Sequence, residues 1–174
     1  MLRDYSMLFQ APTPARDRAA AMTAFLDLTW AAFGDENPSA NRKTISWIGF
    51  YERDPHSPED AAQMILIDRR PKPACSPIGL HGLCGQGMLD ASSYVVDDVK
   101  TLGANYVACD PKDQSELVVP LFNEKGESFG VLDIDSFAIG AFDENDAARM
   151  HELLVHFGLT SIGNGRGTPP IHRR

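Results

Sequence analysis

Between Ser115 and Ser136 two apolar runs, Leu117–Phe122 and Ser128–Asp135, are separated only by Asn123-Glu124-Lys125-Gly126 and Glu127. A connection that short, carrying Asn and Gly, obliges the runs to fold back as an antiparallel hairpin. In the second run Gly130, Leu132 and Ile134 point one way, and Phe129, Val131, Asp133 and Asp135 the other. Two residues apart on a strand, Asp133 and Asp135 stand about 7 Å from each other. Glu116, at the start of the neighbouring strand, can join them. Anions beside Phe129 and Val131 cost several kcal/mol each if buried unpaired. Either they lie in water at the open end of the strand, or they hold a cation or an amine.

The rest of the pattern sets helices around such strands. Residues 16–33 place Met22, Phe25, Leu26, Thr29, Trp30 and Phe33 at helical spacing, with Gly34 as a stop. Residues 44–52 read as a strand with Ile45, Trp47, Gly49 and Tyr51 on one face and Ser46, Ile48 and Phe50 on the other. Both faces are apolar, which predicts a position inside the sheet. Further strands are predicted over 63–68 and 94–97, and a short helix over 84–91. Residues 69–83, broken by Pro71, Pro73, Pro77, Gly79 and Gly82, and residues 98–115 read as loops. A final helix runs over 144–157 with Asp143 as its N-cap and His151 on its surface. The pattern predicts a loosely held arm over 1–15, one α+β domain over 16–162 with its helices against one face of a sheet, and a disordered tail over 163–174.

Composition removes several function classes. The 174 residues carry a formal net charge of −8, which argues against nucleic acid as a partner. The longest apolar runs are too short to cross a bilayer, and no signal peptide opens the chain, so a cytoplasmic location is expected. Three cysteines without a secretion signal favour thiol chemistry or metal ligation over a disulfide scaffold.

Cys75, Cys84 and Cys109 all fall in segments read as loops or loop–helix junctions. Cys84 lies where a helix N-terminus would lower a thiol pKa, and Cys109 on a long loop where exposure is easy. Each could instead be a small buried hydrophobe. A zinc site of Cys75, His81, Cys84 and Cys109 is the third reading, weakened by the absence of a close CxxC pair. Trp47 and Tyr51 can be core residues or the wall of a pocket.

Taken together, Ser46-Trp47-Ile48-Gly49-Phe50-Tyr51, Pro73-Ala74-Cys75, Gly82-Leu83-Cys84-Gly85, Ala108-Cys109-Asp110, Ser115-Glu116-Leu117-Val118-Val119-Pro120-Leu121 and Gly130-Val131-Leu132-Asp133-Ile134-Asp135-Ser136 resemble the stand-alone GAF-domain free methionine-(R)-sulfoxide reductases. Asp68-Arg69-Arg70-Pro71-Lys72 departs from that family's usual approach to the first cysteine. The resemblance implies a GAF fold, with a roughly six-stranded antiparallel sheet, helices on one side and a pocket under loops on the other. It implies reduction of free methionine-(R)-sulfoxide, electrons from thioredoxin, no metal and no organic cofactor, and it leaves a homodimer open. On this chain it makes Cys109 the nucleophile, Cys75 the resolving thiol and Cys84 an auxiliary cysteine. Glu116, Asp133 and Asp135 become substrate-holding carboxylates, and Trp47 and Tyr51 an aromatic wall. The alternative is a non-enzymatic GAF module that binds a ligand or senses redox state.

Overall fold

The computed structural model describes residues 3–13, 17–35, 44–58, 61, 63–106, 109–162 and 167–174. Helix α1 (Arg18–Phe33) starts at Asp17, whose carboxylate accepts the amide protons of Ala19 and Ala20. It buries Met22, Phe25, Leu26, Thr29 and Phe33, the face its spacing predicts. Strands β1 (Trp47–Arg53), β2 (Gln63–Arg70) and β3 (Ile78–Gly79) precede helix α2 (Leu83–Leu89) and strand β4 (Ser93–Val96). A 3₁₀ segment (Val99–Asn105) then leads to the hairpin of β5 (Ser115–Phe122) and β6 (Ser128–Ser136). Helix α3 (Glu144–His156) is closed at its start by a capping box between Asp143 and Asp146, and β7 (Ile171–Arg173) ends the chain.

The strands form one sheet in the order β3-β2-β1-β6-β5-β4-β7, antiparallel except for the β4–β7 pair. Strand β6 is in the middle, between β1 and β5. On one face Ile48, Phe50, Leu117, Val119, Leu132 and Ile134 pack against α1 and α3 in the larger core. On the other, Trp47, Tyr51, Val118 and Val131 pack with Leu83, Cys84 and Met88 of α2. The α+β class is as the sequence implies, but α2 lies on the pocket side, not with the other helices. Gly87 permits this: a methyl group there would come within 2.7 Å of Val118 Cγ1. Ile45 departs from its predicted face. It lies before β1, bridges to Gly34, and joins the helix-side core while Trp47 faces the pocket.

Both ends of the chain are held more firmly than composition suggests. Residues 163–166 lie outside the described residues, but Ile171–Arg173 adds to the edge of β4. The β4 edge has amide and carbonyl groups to satisfy, and three residues of strand are too few to show an alternation in sequence. Arg173 pairs with Asp97 at 3.0 Å and Glu144 at 3.1 Å. At the other end Tyr5 and Leu8 are buried. The Arg3 guanidinium lies over the Phe142 ring and pairs with buried Asp146 at 2.6 Å, and the Tyr5 hydroxyl donates to the same carboxylate at 2.8 Å. His151 is buried rather than exposed, beside Phe122, and burial lowers its pKa. No helix among the described residues is long and apolar enough to cross a membrane.

Removing one partner of a buried ion pair leaves the other charge unpaired. Arg3→Met is therefore expected to cost about 3 kcal/mol, a fall in Tm of roughly 6–12 °C for a chain of this size. An unchanged melting curve would mean that the arm is not docked in solution.

Candidate active site

Pairing register assembles the site across three strands. Asp135 of β6 stands opposite Trp47 of β1 on one side and Glu116 of β5 on the other. Asp133 stands between Gly49 and Val118 in the same way. The Trp47 indole lies across the bare backbone at Gly49, where a methyl group would meet the ring at 2.3 Å. The three carboxylates, Trp47 and Tyr51 thus share one face: alternation predicts Asp133 with Asp135 and Trp47 with Tyr51, and the pairing of β1 and β5 with β6 joins the sets.

That face is the floor of a cavity of about 740 Å³, a volume that includes its open mouth and adjoining solvent. Trp47, Tyr51, Cys84, Tyr106, Cys109, Asp113, Glu116, Asp133, Asp135 and Lys72 all line it. Glu116 and Asp133 are buried, and Asp133 Oδ1 has no hydrogen-bond partner among the described residues. Helix α2 brings the Cys84 thiol down so that one ligand atom each of Cys84, Glu116 and Asp133 lies within 4.8 Å of the others.

The mouth is built from two loops. The Trp47 indole N–H donates to the Lys72 carbonyl at 2.9 Å, and the Tyr51 hydroxyl donates to the Cys75 carbonyl at 2.7 Å. The aromatic wall therefore also anchors the Cys75 loop. Across from it, Lys72 Nζ pairs with Asp110, next in sequence to Cys109. Cys75 and Cys109 are both exposed, and Cys75 reaches the Cys109 sulfur through its side chain and its backbone. Trp47, Tyr51, Cys84, Cys109, Glu116, Asp133 and Asp135 thus line this cavity, with Cys75 at its rim. The four-residue zinc set does not converge: Cys84 is buried, His81 is exposed and lines no part of the cavity. Among the described residues the grouping able to hold a metal is Cys84, Glu116 and Asp133, a single thiol with two carboxylates.

Sequence reasoning misses Ser46, Lys72, Tyr106, Asp110 and Asp113. Asp113 is buried and accepts from the Ser46 hydroxyl at 2.9 Å. Its only signal is its place in an acidic loop three residues after Asp110, which charge pattern alone assigns to solvent.

Residues 36–160 match the GAF domain family. The chain belongs to that family. It is 34% identical over 110 residues to the free methionine-R-sulfoxide reductase of Saccharomyces cerevisiae, covering 63% of this chain and 59% of that protein. It is 32% identical over 113 residues to the enzyme of the same name from Escherichia coli, covering 64% and 63%. The alignments thus span less than two thirds of each of these two relatives. The solved structure of the free methionine-R-sulfoxide reductase from Neisseria meningitidis, in complex with its substrate, superposes with a TM-score of 0.68 at 30% identity, covering 88% of this chain and 84% of that one.

Burial governs the electrostatics of this GAF pocket. It pushes Glu116 and Asp135 well above the usual carboxylate range, and the charge of Asp133 raises both further. Asp133 is raised to about 7, against donation from the Cys84 thiol and the Glu116 carboxyl. Helix α2 does not lower the Cys84 thiol as its place near a helix start suggests; burial first, then Asp133 and Glu116, push it up. Cys109 is pushed up to about 12, by burial and then by contact with Cys75. Proton-bearing acids and thiols in one cavity suit a reaction in which an oxygen is protonated as it is transferred.

A carboxyl held protonated when folded loses its proton more readily when unfolded. The folded state then binds more protons, and stability falls as pH rises from about 4 to beyond 7. Asp133→Asn is expected to remove this penalty, raising Tm near pH 8 by at least about 2–4 °C, the effect of one kcal/mol in a chain of this size. The gain should shrink toward pH 4. Thermal melts across that range check it, and a lower Tm at both ends would contradict it.

Proposed function

We propose that the chain reduces free methionine-(R)-sulfoxide to methionine, using Cys109 as nucleophile and thioredoxin as electron donor. One observation carries the reading: an exposed pair of neighbouring thiols, Cys109 and Cys75, opens onto a cavity whose floor is a row of three acids, Glu116, Asp133 and Asp135. The likeness to proteins named for that reaction supports it.

The residues divide the work. The Cys109 sulfur attacks the sulfoxide sulfur, and the sulfoxide oxygen takes up a proton as its bond to sulfur breaks. The acids of the floor are placed to supply that proton, Asp133 being raised to about 7. The Cys109 thiol proton is given up in the attack, and the protonated oxygen passes to the Cys109 sulfur as that sulfur's bond to the methionine sulfur breaks. Methionine leaves with the electron pair, so Cys109 becomes a sulfenic acid. The Cys75 thiol condenses with it, releasing water and forming a disulfide that thioredoxin exchanges. Cys84, buried and proton-bearing, serves the floor by donating to Asp133, leaving the resolving role to Cys75. The floor acids, which have no cation partner among the described residues, receive the substrate's ammonium, whose charge draws off the proton of the acid that holds it. A methionine inside a peptide has no such group, so the free amino acid is preferred. Trp47 offers the methyl group a flat apolar surface.

Asp135→Ala is expected to raise KM for the sulfoxide at least about thirtyfold, the equivalent of 2 kcal/mol for one side of a buried charge-assisted contact. Steady-state kinetics with the separated sulfoxide epimers would reveal it, and an unaltered KM would remove the ammonium from the floor. Cys109→Ser should form no methionine even in a single turnover. Cys75→Ser should form about one equivalent per chain and then stall with thioredoxin present. Sustained turnover by Cys75→Ser would transfer the resolving role to Cys84.

A further inference from the structure

A free amino acid presents a carboxylate as well as an ammonium, and the buried floor repels it. Among the described residues that line the cavity, Lys72 is the sole cation. Its backbone is fixed, because its carbonyl accepts the Trp47 indole proton at 2.9 Å. Its side chain is 54% exposed at the mouth and paired with Asp110, itself part of the cavity lining. Exposed pairs of this kind are worth little, so a competing anion can displace one partner at small cost. The floor thus offers acids that can receive an ammonium, and the mouth an ammonium group held only by an exposed ion pair, an arrangement that fits a zwitterion.

We propose that Lys72 is a specificity-determining residue that binds the α-carboxylate of the substrate, leaving Asp110 to do so. The inference rests on the reading of the cavity as a site for free methionine sulfoxide. In the empty protein Asp110 holds the ammonium group of Lys72 over the mouth. On binding, the substrate carboxylate takes the place of Asp110, while the substrate ammonium occupies the carboxylate row below. The free amino acid is then recognised at both ends, and a peptide-linked residue would fail at both.

Two substitutions and two substrates separate this role from a merely structural strap. Neither substitution disturbs the fold: the anchoring contact of Lys72 is through its backbone, and an asparagine at 110 can still accept the Lys112 amide proton that Asp110 Oδ1 accepts at 3.0 Å. The substrates are methionine-(R)-sulfoxide and its decarboxylated analogue, which keeps the ammonium and the sulfoxide. Lys72→Met is expected to raise KM for the amino acid roughly tenfold, the lower range for a hydrogen bond to a charged group, with kcat little changed. Its kcat/KM for the decarboxylated analogue should stay within about twofold of the parent, because the missing contact is already absent there. Asp110→Asn should lower KM for the amino acid about two- to fivefold by releasing Lys72 from its competitor.

Equal losses on both substrates in Lys72→Met, or a shift in the same direction for both variants, would make the pair a strap and overturn the proposal. A parent protein that turns over neither substrate would overturn the reading of the cavity, and this inference with it. A parent that is active while its variants lose equally overturns the inference alone.

Discussion

The molecule is organised around three acids that a sheet gathers on one face, Glu116 and Asp133 buried and Asp135 half-buried. Asp133 and Asp135 occupy its middle strand, and Glu116 stands opposite Asp135 on the next. They are held there by what lies behind them. Leu117, Leu132 and Ile134 on the reverse face are fully buried under α1 and α3. A slip of one residue in β6 would drive the aspartates into that apolar layer and bring the leucine and isoleucine to the cavity. The hydrophobic core therefore sets the position of the charges. The acids stay close because a change of register would bury them in that apolar layer.

The remaining parts of the site follow from that floor. Trp47 and Tyr51 are in place because β1 pairs directly with β6, and each uses its polar atom to tie down the loop that carries Lys72 and Cys75. The same two residues that wall the cavity also bring one thiol loop toward the other. The three sulfurs then differ by environment alone. Cys84 is enclosed against the carboxylates, while Cys75 and Cys109 meet at the surface. A thiol with solvent access and a thiol neighbour can be oxidised and reduced again; one sealed over acidic groups is suited to hydrogen bonding.

Much of this was legible in the sequence, and the gaps have physical causes. Alternation placed Asp133 with Asp135 on one strand and Trp47 with Tyr51 on another, because the pleat of a strand leaves a side chain no other direction; that the two strands pair was not legible. Asp143 and Asn123-Glu124-Lys125-Gly126 marked a helix start and a hairpin through purely local chemistry, and the Asn123 carbonyl accepts the Gly126 amide proton at 2.9 Å. What depended on distant partners was not legible. The burial of Arg3 rests on Asp146, more than a hundred residues away, and the order of Ile171–Arg173 rests on an edge left open by β4. His151 looks like a surface residue on a polar helix until Phe122 is packed beside it. Lys72 and Asp113 sit in segments whose charge pattern suggests solvent, and only the folding of two loops over one mouth brings them to the cavity.

The position of β6 also bears on how the molecule can move. Sheets open from their margins, where a strand has one neighbour instead of two. Here those margins are β3 and β7, of two and three residues. Neither carries a residue of the floor. Fraying at the rims, or lifting of the loops above, can therefore admit and release a visitor while the innermost ladder of β1, β6 and β5 stays shut. The floor belongs to those inner strands, away from both edges.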